Sequence, residues 1–180
     1  SGTADEVTEA LVTADTLVSV TDATVVISDA LTVAEVNAIA AKTAGVVTAS
    51  VSDGDMATLA GLTTASTDVI TVTVSDAIGT AVDATDLSAL GGKTAGAVTV
   101  TNAIAISGTA DEVTAALVTA DTKVVASTAT VTVSDAVGAA VDATALSAIG
   151  GSTTGAVTVT NAIAISGTAD EVTAALVTAD

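Results

Sequence analysis

A tripeptide of Ser or Thr, then Asp or Asn, then Ala or Gly closes a β-rich run six times in this sequence. It stands at Ser28-Asp29-Ala30, Ser52-Asp53-Gly54, Ser75-Asp76-Ala77, Thr101-Asn102-Ala103, Ser134-Asp135-Ala136 and Thr160-Asn161-Ala162. Carboxylates brought into one rank repel each other, and a hard cation with oxygen ligands relieves the repulsion, so Ca²⁺ is the chemistry such a rank would serve. The candidate ligands are Asp29, Asp53, Asp55, Asp76 and Asp135, densest at Ser52-Asp53-Gly54-Asp55. The spacing is not that of an EF-hand loop, and no glycine–aspartate nonapeptide occurs. The competing reading is structural, because Asx side chains at turns and caps accept backbone N–H bonds.

Threonine pairs recur on the same runs, at Thr71/Thr73, Thr99/Thr101, Thr130/Thr132 and Thr158/Thr160, with a partial match at Thr48/Ser50. In register they would form a flat threonine array of the kind that binds ice; alternatively, Thr simply suits the solvent face of a strand. Gly91-Gly92-Lys93-Thr94 has the look of a phosphate loop but lacks the required glycine, since Leu87 stands five positions before Gly92. Its second copy, Gly150-Gly151-Ser152-Thr153, has no lysine, so both read as helix stops. Nucleophilic catalysis by Ser or Thr would want a His, and none is present. The chain is expected not to be an enzyme.

Composition narrows the field further. Half of the residues are apolar, yet there is no Phe, Tyr or Trp, so the core is Val, Ile, Leu and Ala. The large anchors of binding hot spots and base-stacking platforms are missing. The formal charge is −18, with only Lys42, Lys93 and Lys123 as cations. Nucleic acid and anionic membrane surfaces are repelled by such a chain. Without Cys or His, zinc and thiol chemistry lose their residues, and no disulfide reports the compartment. No uninterrupted apolar run of about 20 residues offers a membrane span. Side-chain nitrogen is confined to the three lysines and to Asn37, Asn102 and Asn161, and sulfur to Met56, which suits a protein made in bulk and lost to the medium.

The elements that must position these residues are repeated at two scales. Residues 72–121 match residues 131–180, and six of the fifty positions differ. Copies this similar imply recent duplication or deliberate construction. Inside them the Asx positions 29, 53, 76, 102, 135 and 161 are spaced by 23–33 residues, the period of stacked arrays. Each unit reads as strand then helix. The strands TVVIS, VTASVS, VITVTVS, AVTVT and TVTVS alternate and are β-branched, and AVTVTNAIAIS continues as a second short strand past Asn102. Thr3/Glu6, Thr32/Glu35, Thr109/Glu112 and Thr168/Glu171 are capping boxes. After Thr109, an apolar helix face is predicted at Val113, Ala116, Leu117 and Ala120. Asp83 or Thr85 starts a shorter helix with Leu87 and Leu90 inward, and Gly45, Gly96 and Gly155 return the chain to the next strand.

The expected fold is therefore an α/β solenoid of stacked strand–helix repeats, with about six strands in one parallel sheet roughly 30 Å long. An all-β solenoid is the alternative, because short Thr- and Val-rich helices are intrinsically weak. The phrase SGTADEVTAALVTAD occupies 107–121 and 166–180, and 1–15 with Glu9 in place of alanine. Residues 1–180 are expected to be a single repeat array. Both termini lie in one phase of the repeat and neither shows a polar cap, so an excerpt of a longer array, or end-to-end stacking, is expected.

Residues 28–63, SDALTVAEVNAIAAKTAGVVTASVSDGDMATLAGLT, resemble repeats of very large secreted, calcium-associated surface proteins of marine cyanobacteria and related bacteria. The shared features are the S-D-A turn, the E-V-N-A-I helix, the K-T-A-G-V-V return and the S-D-G-D-M-A-T-L-A segment. SGTADEVTAAL is similar to a recurring phrase of giant bacterial adhesins. The resemblance implies an extracellular or cell-surface role in a surface layer, sheath, filament or adhesion. Three functions are therefore expected in competition: a structural segment that self-associates head-to-tail or laterally, a calcium-responsive adhesin module, or an ice-binding threonine array.

Overall fold

In the computed structural model, which describes residues 1–13, 15 and 17–177, strands and helices alternate along the chain. The order is α1 (Ala4–Leu11), β1 (Val25–Leu31), α2 (Val33–Ala40), β2 (Val47–Val51), α3 (Met56–Leu59), β3 (Val69–Val74), β4 (Ala81–Asp83), α4 (Ala84–Gly91), β5 (Val98–Val100), β6 (Ala105–Gly108) and α5 (Ala110–Leu117). Next come a 3₁₀ turn (Ala120–Thr122), β7 (Val124–Val125), β8 (Thr130–Val133), β9 (Ala140–Asp142), α6 (Ala143–Gly151), β10 (Val157–Val159), β11 (Ala164–Ser166) and α7 (Ala169–Leu176). The fold is α/β with parallel strand pairing. The all-β alternative fails, because weak helix formers are held in helices by caps at their first turns.

The chain divides into two compact units, residues 1–75 with 89–99, and residues 76–88 with 100–180. In the first, β1, β2, β3 and β5 lie side by side in that order. Val25 pairs with Val47 and Leu31 with Val51, with an irregularity between Val26 and Ala30. Ser50 pairs with Thr71. Strict alternation along β3 buries Ile70, Val72 and Val74 and leaves Thr71 and Thr73 outside. Leu31, Ile39, Leu59, Leu62 and Ile70 are fully buried and give this unit an aliphatic core.

In the second unit the order is β10-β8-β6-β4, and β11 pairs with β9 separately. Val82 pairs with Ile106, Ile106 with Val131, and Val131 with Val157. The expectation of one sheet for all strands is corrected here. The sequence copies share one neighbour and differ in the other: TVTV of β3 lies between β2 and β5, whereas TVTV of β8 lies between β6 and β10, the copy of β5. The 33-residue step between Asn102 and Asp135 carries an added 3₁₀ turn and β7, and this extra length changes which neighbour the copied strand meets.

Two further details depart from the sequence reading. The helix after Thr109 stops at Leu117, and Ala120 is exposed in the 3₁₀ turn instead of extending the apolar face. The Thr114 carbonyl accepts both the Val118 and Thr119 N–H groups, which ends the helix, and buried Thr122 donates its hydroxyl to the Ala116 and Thr119 carbonyls. The strands β4 and β9 were not anticipated. Each comes after a tight turn in which the Thr80 or Ala139 N–H returns to the Ala77 or Ala136 carbonyl, with Gly79 at φ 77° and Gly138 at φ 80° in the position that favours glycine.

The return glycines are required by close approach. A Cβ on Gly96 would sit 2.6 Å from the Ile70 carbonyl carbon, and one on Gly45 2.6 Å from that of Ala23. Gly150, on α6, has open space around the same position. Gly96→Ala is therefore expected to lower the thermal midpoint by several degrees, as overpacking of about 2 kcal/mol would. Gly150→Ala should leave it unchanged or raise it, because alanine is the better helix former by about 1 kcal/mol. Melting by circular dichroism checks the pair, and equal losses would contradict the steric account.

Candidate functional site

The strand-end aspartates occupy defined seats. The Asp29 Oδ1 accepts the N–H of Ala4 at 2.6 Å, the Asp53 Oδ2 that of Val33 at 2.7 Å, and the Asp135 Oδ2 that of Ala110 at 2.8 Å. Ala4, Val33 and Ala110 are the first residues of α1, α2 and α5. Each carboxylate thus reaches back 20–25 residues to the helix of the preceding strand–helix unit. First-turn N–H groups have no partner inside their own helix, and the helix dipole favours negative charge there.

The rest of each helix start is satisfied locally. All four capping boxes form: Thr3, Thr32, Thr109 and Thr168 accept from the N3 amide, and Glu6, Glu35, Glu112 and Glu171 return to the cap N–H. For α5, Thr109 N–H reaches Glu112 Oε2 at 2.7 Å, and Glu112 N–H reaches Thr109 Oγ1 at 3.3 Å. The two devices are complementary, because the box leaves the N1 amide to the incoming aspartate.

The two remaining acidic candidates, Asp55 and Asp76, take different places. Asp55 is the N-cap of α3, accepting both the N–H and the hydroxyl of Thr58 at 2.8 Å. Its carboxylate and that of Asp53, two residues away, are thus turned to different helices. Asp76 receives the Asn102 side-chain amide on its backbone carbonyl at 2.8 Å, and Asn161 treats Asp135 in the same way at 2.7 Å. An amide can donate where a carboxylate cannot, which explains why Asn comes after Asp in each copied pair. Among the described residues no group of three or more Asp or Glu side chains comes together in a way that could hold a metal ion.

Threonines do not line up as one rank. Thr132 pairs with Thr158, but Thr130 lies opposite Ala105, Thr132 opposite Ser107, Thr71 opposite Ser50, and Thr48 opposite Val69. Other threonines turn inward as backbone staples, which the sequence reading missed. The Thr43 hydroxyl donates to Ala23 O at 2.7 Å and accepts from Gly45 N at 3.0 Å. Thr94 donates to Ile70 O at 2.8 Å and accepts from Gly96 N at 2.8 Å, and Thr153 repeats this with Ala129 and Gly155. The signal was the spacing Thr-x-Gly before β2, β5 and β10. Asp68 was also missed. It is buried, and its two oxygens accept Val47 N–H at 2.8 Å and Ala65 N–H at 2.9 Å.

The carboxylates that cap by donation from threonine are easier to ionise than usual. Hydrogen bonds from the Thr32 backbone and hydroxyl lower Glu35 from its ordinary 4.5. Thr58 does the same to Asp55, Thr85 to Asp83, and Thr144 to Asp142, each from 3.8. Comparison with family models, curated proteins and solved structures gave no match.

Folded values below the unfolded ones mean that these caps stabilise fully above the ordinary carboxylate range and lose that contribution as pH falls through it toward the lowered folded values. Melts between pH 7 and 3 should show an acid limb that becomes shallower when Asp55, Asp83 and Asp142 are all replaced by Asn, an N-cap that does not titrate; an unaltered limb would contradict the assignment. Separately, Asp135→Ala should cost about 1–2 kcal/mol, since it strips the N1 amide of Ala110, whereas Asp111→Ala in the same first turn should cost less than half of that. Chemical denaturation of the two variants makes the comparison, and equal costs would reduce Asp135 to a nonspecific charge.

Proposed function

We propose that this chain is a structural repeat segment, a βα solenoid that serves as rod, sheath or filament material at an extracellular surface and associates with further copies of itself. The observation that carries the reading is the recurrence of one contact, aspartate of the later unit on the first amide of the earlier helix, at Asp29, Asp53 and Asp135. Each unit is completed by its successor, so the architecture grows by addition. The Thr-x-Gly staples support the same view, because each ties a unit to the start of a strand 20–24 residues earlier.

Composition points in the same direction. An acidic surface without aromatic anchors suits a soluble spacer better than a recognition groove. No helix among the described residues is long and apolar enough to cross a membrane. Four of the five aspartates that would serve a calcium-responsive adhesin, Asp29, Asp53, Asp55 and Asp135, are engaged as caps, so the rod is expected to hold without metal.

Circular dichroism melts in EDTA, in millimolar Ca²⁺ and in Mg²⁺ at matched ionic strength test this. Superimposable mixed helix–strand spectra and melts are expected, with elongated particles by small-angle scattering. A melting shift specific to Ca²⁺ would favour the adhesin reading instead, and a compact, strictly monomeric particle would remove the rod.

A further inference from the structure

Identical sequence is buried in one place and open in another. In α5, Ala110, Val113 and Ala116 are at most 3 % exposed, and Ile104, just before β6, and Ile106 within it are fully buried. Their counterparts 59 residues later behave differently: α7 buries none of its residues, Leu176 is 59 % exposed, and Ile163 and Ile165 are only partly covered. The difference lies in the neighbours that the first copy has on its C-terminal side. α6 packs on α5 and β8 pairs with β6. Among the described residues no carboxylate meets the Ala169 N–H, the first amide of α7, as Asp135 meets that of Ala110.

The chain contains one more copy of the cover that this phrase requires. α1, which differs from α7 only by Glu9 in place of Ala174, lies against β1 and α2. There Gly2 pairs with Ile27, its N–H reaching Val26 O at 3.1 Å and its carbonyl accepting Ser28 N–H at 3.0 Å, and Asp29 holds Ala4. Glu9 is exposed in this seat, so alanine at that position fits equally. The seat holds α1 lightly, with only Ala4 and Val7 buried, and the exposed Leu17 and Val18 lie on the path from α1 to β1.

On the reading of the chain as self-associating, we propose that α7 of one copy takes the seat of α1 in a second copy, an exchange of equivalent segments that joins copies head to tail. Gly167 would then pair with Ile27 of the second copy, Asp29 of that copy would hold the Ala169 N–H, and β1 and α2 would cover Ala169 and Val172 as they cover Ala4 and Val7. The exchange is open-ended, because each copy has one seat and one α7. The cis segment holds the advantage of high effective concentration, so association rises steeply with protein concentration. Screening the −18 charge by salt should strengthen it.

The experiment is sedimentation velocity on the 180-residue chain at several concentrations in high salt, comparing Ala169→Pro with Ala4→Pro. Proline is tolerated at the first helical position, and the preceding Thr168 and Thr3 are already extended, at ψ 165° and 166°. Each substitution removes one N–H and leaves the helix able to form. Ala169→Pro should weaken association about tenfold or more, the loss of a charge-assisted hydrogen bond, and Ala4→Pro should strengthen it by loosening the competing cis segment. Circular dichroism confirms that both variants are folded. If copies associate but both substitutions act in the same direction, or neither acts, the exchange is wrong and self-stacking by another surface stands. If the wild-type chain is monomeric at every concentration, both readings fall.

Discussion

The contact on which the rest depends is a carboxylate of one strand–helix unit on the first amide of the helix before it. Helices of eight residues rich in Thr, Val and Ala are too short to persist alone, because nucleation costs more than so few hydrogen bonds return. The capping box lowers that cost from within. The aspartate does so from the next unit, and only when the next strand is in register. Helix formation and strand pairing are thereby coupled, and an aliphatic core without aromatics then suffices to hold the layers together.

Backbone proximity is the second constraint. Thr43, Thr94 and Thr153 each place a hydroxyl between a strand start and a return glycine, and the glycine allows the two chains to approach. Buried Asp68 does comparable work in the first unit without a repeat of its own. These hydrogen bonds answer for backbone groups that thin layers of Val and Ala would leave dry and unpaired.

Much of this was legible in the sequence because it is local. Capping boxes are written within four residues, strand alternation within six, and inward Leu87 and Leu90 result from helical spacing. The roles of Asp29, Asp53 and Asp135 were half legible: their recurrence marked them, and their capping chemistry was one of two readings, but the receiving amides lie 20–25 residues away. The strands β4 and β9 escaped because three residues carry no periodicity. The change of one partner, β2 beside β3 but β6 beside β8, could not be read from identical TVTV stretches, since pairing is fixed by the chain that lies between them. The open face of α7 has the same cause: burial belongs to the neighbour as much as to the residue.

The measurement that most directly tests the coupling is amide hydrogen exchange resolved by residue. First-turn amides of short exposed helices ordinarily exchange fast, as they lack an intrahelical acceptor. Under conditions that keep the chain monomeric, Ala4, Val33 and Ala110 should be strongly protected relative to Ala169, and the protection of Ala110 should vanish in Asp135→Ala while Val113 stays slow. Equal, rapid exchange at all four amides would contradict the claim that carboxylates of later units hold the earlier helices.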